Sequence, residues 1–374
     1  MQNILIASEN YAELDEYFAN SGVKSILLVC DGSLQFLRIK DYFDTLEERK
    51  GIRVIKFSDF QPNPLYESVV EGVKVFHDNS CELIAAVGGG SALDVAKCIK
   101  LYSNMDDSEN YLKQTIVPNE VPLFAVPTTA GTGSEATRYA VIYFNGEKQS
   151  VADYSCIPST VLFDASALKT LPIYQKKSTM MDALCHAIES YWSVNSTDES
   201  REYSKQAIEL IIANKGSYLA NDEDGNRNML KAANIAGKAI NITQTTAGHA
   251  MCYKLTSLYG IAHGHAAALC DVKLLPYMLN NTDKCIDSRG EEYLKGVFDD
   301  IAKAMGCRTT AEAAEKLAAV VSELGLKAPE NVSEKDIDTL KNSVNPVRLK
   351  NHPIGLTTEV IASLYREILL HECC

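Results

Sequence analysis

The stretch LIAAVGGGSALDVAKCIKLY, residues 83–102, decides the fold. It opens with five apolar residues, turns through three glycines, and then repeats its apolar residues at the three-and-four spacing of a helix. A run apolar on both faces, followed by a turn and an amphipathic helix, is the repeating unit of a parallel α/β sheet. Further apolar runs at 26–30, 52–57 and 123–126 predict more buried strands, and residues 66–79 predict a helix entered through Pro62-Asn63-Pro64.

Beyond Asp164 the strand signal stops, and helical periodicities at 178–194, 200–214 and 226–241 take over. The expected architecture is therefore an α/β domain over residues 1–164 followed by an all-helical domain over 165–374. Residues 221–226 and 280–290 read as polar loops between helices.

A chain of 374 residues with 46% hydrophobic content can build two cores. Its net charge is −13 and it has no basic run, which excludes nucleic acid as the expected partner. No segment has the apolar length needed to span a bilayer, and no leader pattern opens the chain, so a soluble cytoplasmic protein is expected. The 11 cysteines are odd in number and lack CxxC pairs, a pattern of reduced thiols; a disulfide framework is the rival reading. Cys373 and Cys374 are expected to be exposed.

Gly88, Gly89, Gly90 and Ser91 lie between a strand and a helix, where backbone N–H groups without a Cβ in the way can face a pyrophosphate. A plain strand-to-helix turn needs one glycine rather than three. A second loop, residues 127–134 (PTTAGTGS), follows the next strand and is rich in hydroxyls, with Thr128, Thr129, Thr132 and Ser134. The G-x-G-x-x-G fingerprint is absent. Asp31, just past the 26–30 strand, could bind an adenosine ribose and repel a 2′-phosphate, favouring NAD(H) over NADP(H); an Asp-Gly-Ser turn explains it equally.

In the helical half, Asp182 and His186 stand four residues apart and so share one helix face. His249 and His263 follow, so that three of only seven histidines gather with an aspartate. One carboxylate and three imidazoles suit Fe(II) or Zn(II).

Taken in order, Pro62-Asn63-Pro64, GGGSALDVAK (88–97), PTTAGTGSEAT (127–137), DALCHAIE (182–189) and the His249 and His263 segments resemble the iron-dependent, or group III, alcohol dehydrogenases over essentially the whole chain. The resemblance implies the dehydroquinate synthase-like fold, a dinucleotide-binding α/β domain followed by a helical metal domain. It also implies a metal-dependent, nicotinamide-linked reduction of an aldehyde or oxidation of an alcohol, and a homodimer is the expected assembly. By position it assigns Asp182, His186, His249 and His263 to the metal. Asp31, Asn63, Gly88, Gly89, Gly90, Ser91, Asp94, Thr128, Thr129, Thr132, Ser134 and Lys148 are assigned to the cofactor.

Two departures stand out: Tyr253, where many relatives carry a further histidine, and Met180-Met181, where a glycine is common. Tyr253 remains a candidate catalytic hydrogen-bond donor. The segments around Arg138, Lys254, His265 and Arg348 look most like the phosphonoacetaldehyde reductase branch, and these four side chains could hold a phosphonate. Surface or interdomain ion pairs are the other reading of Arg138 and Arg348. Sulfoacetaldehyde, a semialdehyde or a short alcohol are alternative substrates, and a nucleotide-binding assembly protein without turnover is the alternative of another class.

Overall fold

The structure, a computed structural model, describes residues 2–370; the expectation for Cys373 and Cys374 lies outside these. Eight strands form: β1 Asn3–Ile6, β2 Ser25–Cys30, β3 Arg53–Phe57, β4 Leu83–Gly88, β5 Leu123–Pro127, β6 Tyr139–Phe144, β7 Glu147–Ala152 and β8 Thr160–Phe163. Six make one sheet in the order β1-β8-β5-β4-β2-β3, with every pairing parallel. Every residue of β2, β4 and β5 is buried, because helices cover both faces of a parallel sheet. That is why these strands read as unbroken apolar runs.

The order reverses between β2 and β4, whose carboxyl ends carry Asp31 and Gly88. Such a switch point is where doubly wound sheets bind ligands. β6 and β7 form a separate antiparallel hairpin, turned by Asn145 and Gly146, both at positive φ. That pair is the signature of a two-residue hairpin turn.

The chain divides into two compact units, Met1–Leu171 with Ala220–Leu230, and Pro172–Leu219 with Lys231–Cys374. The described part of the second unit contains helices and no strand of the sheets. Its helices include Ile173–Trp192, Asp198–Leu219, Ala247–Tyr259 and His263–Leu279. The polar run at 221–226, read as a loop, is corrected by the structure: a helix begins at Glu223, with Glu223 and Asp224 in its first turn. Acidic residues there complement the helix dipole, so polarity marks a helix start and not a connection. Among the described residues no helix is long and apolar enough to cross a membrane, and nine cysteines are free thiols, seven of them buried.

Candidate active site

Asp182 and His186 project from one face of the Ile173–Trp192 helix. His249 lies in the first turn of Ala247–Tyr259, and His263 opens His263–Leu279. The structure brings Asp182, His249 and His263 together, with one ligand atom of each within 4.8 Å of the others. Asp182 Oδ1 is 3.4 Å from His249 Nε2 and 4.0 Å from His186 Nε2. The His186 ring stacks on His249 at 4.4 Å between centroids.

Close approach of backbones makes this convergence possible. A Cβ on Gly264 would stand 2.1 Å from Ser178 O and 2.5 Å from Asp182 Cβ. Only glycine lets the turn after His263 press against the helix bearing Asp182.

The cluster is electrostatically prepared for a positive charge. Burial raises the Asp182 carboxyl, but His186, His249 and His263 outweigh it and hold the group well below the usual carboxylate range. Burial likewise lowers His249, yet Glu189 and Asp182 overcome that and hold it up at about 10.

Glu189, which the sequence reading left without a role, takes the Nδ1 side of His249. It also accepts the His249 N–H at 3.1 Å and the Thr246 N–H and O–H at 2.6 Å each, while Trp192 Nε1 donates to Thr246 Oγ1 at 2.8 Å. A carboxylate behind a ligand imidazole fixes its tautomer and turns Nε2 toward the ion. The signal was present: Glu189 is seven residues after Asp182 and so lies on the same helix face.

The remaining predicted residues of this unit fall in two groups. The Tyr253 ring is 5.2 Å from His263, and the Arg348 guanidinium lies 4.9 Å from the Tyr253 centroid. Burial pushes the Tyr253 phenol well above its ordinary value, with Arg348 opposing, so the hydroxyl stays protonated. Lys254 follows Tyr253, half-buried, and among the described residues its amine makes no ion pair. His265 is different: it is buried, with Nδ1 3.0 Å from Tyr174 Oη and Nε2 2.9 Å from Lys327 O. Both nitrogens are occupied within the protein, and burial holds the ring below its ordinary pKa.

In the first unit the two polar loops lie against each other. Thr128 N donates to Gly88 O at 3.0 Å. A Cβ on Gly89 would stand 3.4 Å from Thr129, one on Gly90 3.1 Å from Thr132, and one on Gly88 2.6 Å from Ala92 and 3.1 Å from Asp31 Oδ2. The helix Gly90–Tyr102 has Ser91 in its first turn and no side-chain cap at Gly89. Asp31 Oδ1 caps the next turn through Ser33 N at 2.8 Å, which leaves Oδ2 directed at the glycine loop.

Asp94 and Ser134 join the helix Gly90–Tyr102 to the hydroxyl-rich loop and to β6. Ser134 Oγ donates to Asp94 Oδ1 at 2.8 Å, and Val141 N donates to Asp94 Oδ2 at 3.0 Å. The fully buried Lys97 amine donates to Ser134 Oγ, Thr137 O and Tyr139 O at 3.0, 2.8 and 2.8 Å. Lys148, paired with Tyr143 across the hairpin, adds its charge opposite Asp94. Asn63 occupies an exposed left-handed position, φ 60°, between its prolines. Arg138 packs 4.8 Å over each of the Tyr139 and Tyr154 rings and donates to Tyr154 Oη at 2.5 Å.

Residues 2–165 match the family model for iron-containing alcohol dehydrogenase, and residues 176–369 match the C-terminal model of the same family. The chain belongs to the iron-containing alcohol dehydrogenase family. It is 30% identical to alcohol dehydrogenase 4 of Schizosaccharomyces pombe, over 96% of this chain and 85% of the relative. It is 32% identical to 1,3-propanediol dehydrogenase of Klebsiella pneumoniae, over 82% of this chain and 79% of that one. Among solved structures, the sulfoacetaldehyde reductase of Bifidobacterium kashiwanohense, in complex with NAD+, superimposes with a TM-score of 0.85 at 25% identity, covering 98% of this chain and 96% of that chain.

The chain is thus an alcohol dehydrogenase, and its donor set fits the family's metal. Ligand atoms about 2.1 Å from one ion at the tetrahedral angle stand about 3.4 Å apart, the separation found between Asp182 Oδ1 and His249 Nε2, 3.4 Å. One hard carboxylate and borderline imidazoles accept Fe(II) and Zn(II) alike.

Proposed function

We propose that this alcohol dehydrogenase reduces a small anionic aldehyde with NADH, the leading substrate being phosphonoacetaldehyde, yielding 2-hydroxyethylphosphonate. The observation that carries the reading is the Arg348 guanidinium, 4.9 Å over the Tyr253 ring, with that ring 5.2 Å from the metal ligand His263. A phosphonate two carbons from the reacting oxygen needs a cation this near to the metal. A planar guanidinium can meet two of its oxygens at once.

When bound, the divalent cation supplies Lewis acidity at a carbonyl oxygen and the nicotinamide supplies a hydride. Asp182, His186, His249 and His263 hold the cation, and Glu189 keeps His249 in the binding tautomer. Tyr253, protonated throughout the neutral range, donates a hydrogen bond and does not act as a base. Lys254 adds a second cation to the anion's surroundings. The glycine and hydroxyl loops take the pyrophosphate, and Asp31 favours NAD(H) by repelling a 2′-phosphate.

A sulfonate is the second reading, favoured by the likeness to a sulfoacetaldehyde reductase. It would use the same guanidinium. The test is Arg348→Ala assayed with phosphonoacetaldehyde, sulfoacetaldehyde and propanal. KM for the anionic substrate should rise on the order of 10²-fold, the loss of a charge-assisted pair, while propanal changes little. An equal effect on all three removes the anion pocket.

A further inference from the structure

His263 begins its helix without the usual help. Ala262, at the N-cap position, offers no side-chain acceptor to the first turn, and an uncapped helix start frays. The structure supplies a substitute from another helix. Tyr174 Oη accepts the Ala262 N–H at 2.9 Å and lies 3.0 Å from His265 Nδ1. His265 Nε2 lies 2.9 Å from Lys327 O.

The partners fix every hydrogen in this chain. A carbonyl can only accept, so His265 Nε2 carries the hydrogen; Nδ1 of the neutral ring then accepts from the Tyr174 hydroxyl, whose oxygen accepts from Ala262. The residue before His263 and the residue two after it are therefore tied to one phenol. Tyr174 itself stands in the first turn of Ile173–Trp192, the helix that carries Asp182 and His186. Its ring meets His265 edge-on, with centroids 5.9 Å apart. Between the two bonded residues, Gly264 backs onto Ser178 O and Asp182.

We propose that Tyr174 and His265 are a positioning pair that sets His263 against Asp182, and thereby governs the affinity and geometry of the metal centre. His265 is in this reading a support for a ligand and does not contact substrate. The inference rests on the assignment of the metal to Asp182, His186, His249 and His263. Metal sites need their ligands held to within about 0.5 Å, which a frayed first turn does not provide.

The experiment is titration of metal-free protein with Co(II) alone, read by the ligand-field bands in the visible and by the dissociation constant. Tyr174→Phe removes only the hydroxyl and keeps the ring; His265→Asn is the second variant, should the first perturb the fold. Both are expected to weaken Co(II) binding about tenfold or more and to shift the ligand-field bands, with the far-ultraviolet circular dichroism of the metal-free protein unchanged. The double variant should bind no more weakly than the worse single one, because the two side chains act as one unit. Wild-type affinity and spectrum in Tyr174→Phe and His265→Asn overturn the positioning role while leaving the metal assignment intact. Failure of the unaltered protein to bind Co(II) at these four ligands overturns the assignment, and the positioning role with it.

Discussion

Glu189 and His249 form a fully buried pair, the carboxylate on Nδ1 of the imidazole while Nε2 stands 3.4 Å from Asp182 Oδ1. Substituting Glu189→Gln keeps the shape and removes the charge. Metal affinity should then fall by about 10–100-fold, the usual effect of losing such a partner. Competition against a chromophoric chelator measures it, and an unchanged affinity refutes the role given to Glu189.

The Tyr253 ring lies 5.2 Å from His263, and its phenol is pushed up by burial. The kcat profile of the wild-type protein should therefore show no limb from this residue below about pH 10. Tyr253→Phe should keep kcat within about tenfold, below the usual contribution of a true proton-transfer group. Tyr253→His should add an ionisation near the ordinary histidine value of about 6.5. A hundredfold loss in the phenylalanine variant would make Tyr253 a proton donor in the rate-limiting step.

Gly264→Ala places a methyl 2.1 Å from Ser178 O. The contact is backbone, so the helices must separate, at a cost of about 1–3 kcal/mol. Both the unfolding temperature and metal affinity should drop, because the turn that moves carries His263. Loss of stability with unaltered metal affinity would separate helix packing from ligand placement.

Lys176 is 2% exposed, donates to Tyr218 O at 3.0 Å, and lies 4.3 Å over the Tyr218 ring. Burial pulls its amine from 10.5 down to about 8. The unfolded chain holds that proton up to its ordinary pKa of about 10.4. Between the two values the unfolded state binds more protons, so stability rises with pH; the penalty is fully present below pH 8. Lys176→Met should raise the unfolding temperature at pH 7, with an advantage that shrinks by pH 10. A pH-independent difference between variant and wild type contradicts this.

The sheet was legible where burial on both faces leaves no polar residue to interrupt a strand, as in 26–30, 83–87 and 123–126. β1 and β8 were not separable, being four residues each, too short for a period to show. The β6–β7 hairpin carried its signal in Asn145-Gly146, which a reading directed at the buried strands of the parallel sheet passed over. That Asp182 and His186 share one helix face was legible, because residues four apart on a helix are placed by spacing alone. The tie from Tyr174 to His265 was not, since the partners are 91 residues apart and nothing local to either residue records the other. Arg348 was legible as a cation, but its place above Tyr253 depends on tertiary packing alone.

The most direct measurement is an anaerobic titration of metal-free protein with Fe(II), and separately Zn(II), with NADH oxidation by phosphonoacetaldehyde followed at each point. Turnover should climb in proportion to ion bound and level off at one per chain, with binding and turnover both lost in Asp182→Ala and His249→Ala. Turnover that persists without metal, or ion binding undiminished in those two variants, contradicts the account.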